Sequence, residues 1–216
     1  DENEVAVATV EEGEAHVHTV EAHGVEERVT LRGTTGKGDD AAPREELFEE
    51  LASVLENLDP DAVVLAGPGF TKRDAYAHIE ENAPEVAEKI VVEDTAGVGG
   101  RGVHEVLKRG AVERVAEEAR VARESRLVDE LMDRVAGDGA AAYGLEPTRN
   151  AVEYGAVEHL LVVDEFLREH RDELDALVEG AEQKGGEVTV LSSEFEPGQR
   201  VQSLGGVAAL LRYRID

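Results

Sequence analysis

The chain contains 216 residues, 41% of them hydrophobic, and its 49 acidic residues outnumber 22 lysines and arginines to give a formal net charge of −27. This length and apolar content suit two ordinary domains with packed cores. The absence of cysteine excludes disulfides, thiolate metal sites and a thiol nucleophile. No apolar run is long enough to span a membrane and the first residues lack a signal-peptide pattern, so a soluble, cytoplasmic protein is expected.

The acidic excess is typical of proteins from a salt-accumulating cytoplasm. Arginine outnumbers lysine 17 to five, and aromatic residues make up only 4% of the chain. Repulsion among the acidic groups is screened when the Debye length falls to about 3 Å near 1 M salt. Regular strand and helix patterns argue against the alternative of an acidic disordered protein. We therefore expect a protein from a halophile, whose fold loosens when salt is removed.

The first block of the chain alternates strands and helices. Three segments with alternating apolar residues, at 4–10, 14–20 and 25–31, predict an antiparallel meander. A helix opened by Pro43 follows, and its apolar face consists of Leu47, Leu51, Val54, Leu55 and Leu58. The later elements are a strand at 61–66, a helix capped by Thr71, a strand at 89–92, and helices that continue to about residue 136 unless Gly110 interrupts them.

The second block repeats this alternation. The predicted elements are a helix at 146–154, a strand at 159–163, helices between 165 and 184, a strand at 187–191, a loop at Pro197 and Gly198, and a strand at 207–213. Strands separated by such helices argue for a mixed or parallel sheet covered on both faces. The boundary is expected inside the long helix, which predicts two α/β domains at residues 1–124 and 125–216.

Residues 101–126 reverse the charge of the chain. This stretch has a net charge of +2 because it holds seven basic residues and five acidic ones. The basic residues are Arg101, Lys108, Arg109, Arg114, Arg120, Arg123 and Arg126. A basic stripe on an acidic protein is an electrostatic footprint for an anionic partner such as phosphate.

A short loop at residues 67–70 is the second candidate contact. It follows a strand predicted to be buried, is stiffened by Pro68 next to Gly69, and carries Phe70, one of only four phenylalanines. Lys72 and Arg73 come directly afterwards and add charge where the loop would meet a partner. The alternative, a tight turn with a buried phenylalanine, is equally compatible with the sequence.

Other motifs do not predict a site. The glycines of GVGGRG at 97–102 match the dinucleotide fingerprint, but no strand with a ribose-binding acid follows about 20 residues later, so a turn that begins a helix is favoured. The GTTGKG segment around Lys37 is too short for a Walker A loop. His16 and His18 alternate on one strand with His23 close by, yet no third metal ligand is specified. A nuclease of the RNase H type would need carboxylates at 5–8, where the sequence has only valine and alanine.

Four segments together resemble the archaeal Pelota family, the ribosome-rescue relatives of class I release factors. They are GPGFTKRDAY at 67–76, GGRGVHEVLKRGAVERV at 99–115, NAVEYGAVEHLLVVDEFLR at 150–168 and LGGVAALLRYRI at 204–215. The resemblance implies a central domain of RNase H-like topology, followed by an α/β/α domain like that of kink-turn-binding ribosomal proteins. By this resemblance the chain is expected to correspond to the central and C-terminal domains of the family, without its Sm-like N-terminal domain.

Release factors carry a Gly-Gly-Gln tripeptide that brings a glutamine to the ester of peptidyl-tRNA. The glutamines here are Gln183, Gln199 and Gln202, and none follows two glycines. The resemblance therefore favours the Pelota branch over a class I release-factor paralogue.

The resemblance implies an adaptor that enters stalled ribosomes in mRNA surveillance of the no-go decay type. Its implied partners are a translational GTPase of the elongation factor 1 alpha type, the ribosome with its RNA, and an ABC-type ribosome-splitting ATPase, and we expect a monomer. The expected GTPase or ribosome contacts are Pro68, Gly69, Phe70, Lys72, Arg73, Arg101, Lys108, Arg109 and Arg114.

Two further expectations come from the resemblance. Many relatives have a basic loop where this chain has TTGKGDD, in which only Lys37 remains beside Asp39 and Asp40. Either the role of that loop is reduced in this protein, or high salt makes its charge less useful. Some members have been credited with divalent-metal-dependent endoribonuclease activity in the N-terminal domain, and this remains an alternative function for a full-length protein. For this chain we expect no catalytic residue, no cofactor and no cleavage.

Overall fold

A computed structural model describes residues 4–33 and 41–215, so the TTGKGDD segment with Lys37 lies outside the described residues. The chain forms two compact units, Asp1–Arg120 and Val121–Asp216. The division falls within one long helix, a few residues before the boundary placed at 124 from the sequence. In the described part of the chain, no helix is both long and apolar enough to cross a membrane.

The first unit is built on a five-stranded mixed sheet. Its elements are β1 (Val5–Glu11), β2 (Glu14–Glu21), β3 (Gly24–Arg32), α1 (Ala41–Leu58), β4 (Ala62–Gly67), α2 (Thr71–Asn82), α3 (Pro84–Ala87), β5 (Ile90–Asp94), α4 (Gly100–Lys108) and the start of α5 (Ala111–Ala136). The strand order is β3-β2-β1-β4-β5, with β1, β2 and β3 antiparallel and with β4 and β5 parallel to β1. This is the RNase H-like arrangement expected from the resemblance.

Helices cover both faces of this sheet, which explains why the central strands are continuously apolar. Alternate residues of β1 enter different cores: Ala6 and Ala8 pack with α1, α2 and α3, whereas Val5 and Val7 pack with α4 and α5. The predicted apolar face of α1 is confirmed, since it packs into the first of these cores.

Two local predictions need adjustment, and the alternative left open at Gly110 is decided. Helix α1 begins at Ala41, so Pro43 lies in its first turn rather than opening it. The residue that caps α2 is Phe70, and Thr71 is the first helical residue, with its hydroxyl directed to Glu12. Gly110 does interrupt the helical run between α4 and α5. Its φ of +73° is not helical, and glycine adopts this conformation readily because it has no side chain.

The second unit is an α/β/α sandwich. It contains the end of α5, β6 (Ala141–Tyr143), α6 (Leu145–Glu153), β7 (Val157–Val163), α7 (Asp164–Glu169), α8 (Arg171–Gln183), β8 (Glu187–Leu191), α9 (Glu196–Gln202) and β9 (Val207–Leu211). The strand order is β6-β9-β7-β8. Alternate residues of β7 and β9 face a core with α6 and α8 or a core with α5 and α9. The two-domain α/β fold class is thus confirmed.

The loop predicted at Pro197 and Gly198 is wrong, because both residues lie in α9. Proline is compatible with the first turn of a helix. A side chain at Gly198 would collide with the backbone carbonyl of Ser192, so this glycine permits close packing rather than a turn. Strand β6 was missed because it has only three residues and no clear alternation.

Candidate functional site

The loop at residues 67–70 leaves the carboxyl end of β4 in a conformation that only glycine tolerates easily. Gly67 has a φ of +153°, and a Cβ there would collide with the carbonyl of Val10 on the neighbouring strand. Gly69 has a φ of +66° and open space around it. Between them Pro68 restricts the backbone. The loop therefore presents Phe70 to solvent, and this residue is 78% exposed. The alternative of a buried phenylalanine is wrong.

Lys72 lies beneath this loop instead of on its surface. Only 1% of the surface of Lys72 is exposed. Its Nζ donates to the carbonyl of Gly69 at 2.5 Å and pairs with Asp94 Oδ1 at 2.6 Å. These contacts correct its assignment as a partner contact, because a side chain so enclosed cannot touch another molecule. Lys72 holds the loop in place, and the adjacent Arg73 is exposed.

The end of β5 joins the two segments predicted to form the site. Because β4 and β5 are parallel, their carboxyl ends lie at the same edge of the sheet, where Gly67 pairs with Asp94. Arg109 donates to the backbone carbonyl of Asp94, and Arg114 pairs with Glu93 at 2.9 Å. Residues 67–73 and 101–114, which are separate in sequence, therefore meet at this edge.

The carboxylate of Asp94 is kept ionised by its surroundings. The hydrogen bond from Lys72, with the positive charge of that ammonium, lowers the pKa of Asp94, and the charges of Arg73 and Arg109 act in the same direction.

The predicted basic residues differ in how far their charge is neutralised. Arg114 is paired with Glu93, whereas Arg109 bonds mainly to a carbonyl and lies 3.9 Å from Glu105. Arg101 and Lys108 are exposed and form no ion pair within the described residues. Arg101, Lys108 and Arg73 are therefore the exposed cations most open to an anionic partner, with Glu105 near Arg101 and Asp94 near Arg73.

The glycine-rich turn before α4 is closed by the protein itself. The Glu105 carboxylate accepts hydrogen bonds at 2.9 Å from the backbone N–H groups of Ala96 and Gly97, and these bonds lower the pKa of Glu105. Thr9 Oγ1 accepts from the N–H of Gly99 at 2.8 Å. Three amides of the turn are thus occupied, and in the described part of the chain β5 is an edge strand with no parallel strand after it. The interpretation of GVGGRG as a structural turn is supported.

We expect Glu105→Ala to increase hydrogen exchange at the amides of Ala96 and Gly97 on the order of 10-fold, because two charge-assisted hydrogen bonds are lost. The pKa of Glu105 is lowered in the folded protein. The stability that its carboxylate contributes is therefore fully present above the ordinary glutamate pKa and is lost as pH falls through the lowered value. Amide exchange measured by NMR checks this, with exposed Glu117→Ala as control. Unchanged protection at both amides would contradict the assigned hydrogen bonds.

The histidines of β2 do not assemble a metal site. His16 contacts Glu14 and Thr30, whereas His18 is buried and desolvation lowers its pKa. Among the described residues, no group of three potential ligands is close enough to hold a metal ion.

Sequence reasoning missed the acidic half of this site. Asp94 and Glu105 are two of 49 acidic residues, and nothing in their spacing distinguishes them from a hydrated acidic surface. Their roles depend on strand pairing and on the fold of the turn. The buried state of Lys72 was also missed, since lysine is rarely enclosed without a partner.

Comparisons with known proteins agree on one family. Residues 121–215 match the family described as eRF1 domain 3. The pelota homologues of Natronomonas pharaonis and Haloarcula marismortui, both halophilic archaea, are each 58% identical over 220 residues, which cover 99% of this chain and 62% of each relative. The homologue of Methanocella arvoryzae is 44% identical over 223 residues, which cover 98% of this chain and 62% of that protein.

Solved structures give the same result. Archaeoglobus fulgidus Pelota matches at 41% identity and a TM-score of 0.66, over 99% of this chain and 65% of that one. Ribosome-bound archaeal Pelota, in a model with ABCE1, matches at 39% identity and a TM-score of 0.80, over 98% of this chain and 62% of that one. Yeast Dom34, at 24% identity and a TM-score of 0.64 over 98% of this chain and 63% of that one, supports the fold alone.

An RNase H-like unit followed by an eRF1 domain 3 unit defines a protein of the translation release-factor class. Within this class, the chain belongs to the Pelota family. It spans about 62% of the length of the curated relatives it matches.

Proposed function

We propose that this chain supplies two domains of a ribosome-rescue adaptor, which recognises stalled ribosomes with a translational GTPase and promotes recycling of non-functional ribosomes. The observation that carries the proposal is its 39% identity and TM-score of 0.80 to a Pelota bound to the ribosome. The alternative of a class I release-factor paralogue is not favoured, since no glutamine follows a glycine pair.

The geometry of the first unit suits docking. Phe70 is an exposed aromatic side chain on a backbone fixed by Pro68 and by the hydrogen bond from Lys72 to the Gly69 carbonyl. A preorganised aromatic anchor loses little conformational entropy on binding. Arg73, Arg101 and Lys108 add positive charge for a phosphate-bearing or acidic partner.

The partners in this proposal are a GTPase of the elongation factor 1 alpha type, the ribosome with its RNA, and an ABC-type ATPase. ABCE1, which accompanies the ribosome-bound relative, supports the last of these. The loop containing Phe70 is assigned to the GTPase, and Arg101 and Lys108 to ribosomal RNA. The adaptor acts by binding and orientation, and the partners supply nucleotide hydrolysis.

Phe70→Ala is expected to weaken GTPase binding about 30-fold, because truncation of a central aromatic anchor costs about 2 kcal/mol. Its melting temperature should stay unchanged, since Phe70 is exposed. The affinity is measured with the purified GTPase and a non-hydrolysable GTP analogue in KCl. Tyr143→Ala, which removes an exposed aromatic residue from the second unit, is the matched control. Equal affinity of both variants and the wild type would remove this loop from the interface.

Lys108→Glu is expected to weaken ribosome binding and to reduce the dependence of affinity on salt by about one counterion. The matched control is Arg32→Glu, which makes the same charge change on β3, at the opposite edge of the sheet from β5. Affinities are measured by co-sedimentation over a series of KCl concentrations. If the two variants behave alike, the contribution of Lys108 is a general charge effect and its contact with RNA is refuted.

A further inference from the structure

A cluster of tyrosine and basic side chains lies at one end of the sheet in the second unit, away from any predicted site. Tyr154 follows α6 and is 70% exposed, and Tyr213 follows β9 and is 51% exposed. The hydroxyl of Tyr213 donates to the backbone carbonyl of Tyr154 at 3.2 Å. This hydrogen bond brings the two residues together and restrains the ring of Tyr213.

Two cations are fixed beside these tyrosines by carbonyl groups. Lys184 Nζ donates to the carbonyls of Val152 and Glu153 at 3.0 and 2.7 Å, at the end of α6. The Arg212 guanidinium bridges the carbonyls of Gly155 and Lys184, at 3.2 and 3.0 Å. These bonds orient both side chains without cancelling their charge, because a carbonyl carries no net charge.

The local charge is unusual for this protein. Glu153 and Glu182 are close in sequence, but within the described residues no carboxylate forms an ion pair with Lys184 or Arg212. No acidic residue occurs between Glu196 and Asp216 in a chain with 49 of them. Two cations that are not held in ion pairs therefore lie beside two exposed tyrosines on a strongly acidic protein.

We propose that Tyr154, Tyr213, Lys184 and Arg212 form a binding site for single-stranded RNA. Exposed aromatic rings stack on unpaired bases, and neighbouring cations bind the phosphates between them. An acidic peptide without aromatic or apolar side chains, such as polyglutamate, would use the cations but leave the two tyrosine faces uncovered. Stacking is also the contribution that persists in concentrated salt, where screening weakens phosphate contacts. The site lies in the second unit, and its binding to free RNA does not depend on the GTPase surface around Phe70.

The test uses the whole chain and a fluorescein-labelled single-stranded oligoadenylate of about 10 nucleotides, a length within the range that such surfaces bind. Fluorescence anisotropy is measured in about 1 M KCl, where the overall repulsion between protein and RNA is screened. We expect Tyr154→Ala to weaken binding about 10-fold and the variant that also carries Tyr213→Ala to weaken it further. Tyr143→Ala, an exposed tyrosine on β6, should bind as the wild type does.

Phenylalanine variants separate stacking from structure. Tyr154→Phe and Tyr213→Phe keep the rings and should retain most of the affinity, whereas a site that depends on the hydroxyl groups would lose it. Should Tyr213→Ala fail to fold, Tyr154→Ala alone decides, because no hydrogen bond is made by its side chain in the described structure. Absence of binding by the wild type, equal loss with Tyr143→Ala, or binding of polyglutamate in place of RNA each overturns the proposal.

Discussion

Asp94→Asn is expected to lower the melting temperature of the first unit by about 5–10 °C, because it leaves the ammonium of Lys72 buried without its counter-charge. The Asp94 side chain is itself mostly exposed, so its own packing contributes little. The loss comes from Lys72, which is enclosed and would keep only neutral acceptors, the Gly69 carbonyl and the amide oxygen that replaces the carboxylate.

A matched variant isolates the effect of burial. Asp59 pairs with Lys89 at 2.7 Å, nearly the distance between Lys72 and Asp94, but the Lys89 side chain is 35% exposed. Water can solvate Lys89 when its partner is lost. Asp59→Asn should therefore shift the melting temperature by at most about 3 °C.

The double variant Lys72→Met/Asp94→Asn should recover much of the stability lost in Asp94→Asn, because it removes the buried charge while keeping most of the side-chain volume. Thermal unfolding followed by circular dichroism in one KCl concentration measures all four proteins. A double variant less stable than Asp94→Asn would show that the ion pair, and not the unpaired ammonium, controls stability. The recovered variant should still bind the GTPase less tightly, since the Gly69 carbonyl loses its donor.

The second large effect expected is a rise in melting temperature on the order of 10 °C between about 0.01 and 1 M KCl, because the Debye length falls from about 30 to 3 Å. The formal charge of −27 is distributed over 216 residues and destabilises the compact state in dilute buffer. Sucrose is the control solute, since it stabilises by exclusion from the surface and does not screen charge. A melting temperature independent of KCl would contradict this account of the acidic composition.

Glu11 and Glu14 show where the repulsion acts. They are opposite one another on β1 and β2, and the hydrogen bond with Glu14 raises the pKa of Glu11. Near neutral pH the two neighbouring carboxylates repel each other. Glu11→Gln should therefore stabilise the protein in low salt and have a smaller effect in 1 M KCl, where repulsion is already screened. Equal stabilisation at both concentrations would indicate a cause other than charge.

Most elements of the fold follow from local pattern. The face of α1, the meander of β1, β2 and β3, and the alternating second block were predicted because apolar spacing is set by backbone geometry alone. The errors fall where long-range packing decides the local structure. Gly198 is required by its contact with the Ser192 carbonyl, and β6 forms only because β9 pairs with it.

The sequence alone determined the family, the acidic composition and the basic stretch, and it identified Phe70 as a candidate contact for a partner. Composition and motif order do not depend on tertiary contacts. Tertiary structure decided which charges are available. Parallel pairing of β4 and β5 brings Asp94 to Lys72 and Arg109. Lys72 is therefore buried in an ion pair beneath the loop, and Arg109 donates to the backbone carbonyl of Asp94. A charge is useful to a partner only if neighbouring groups leave it exposed and uncompensated, and those neighbours come from distant parts of the chain.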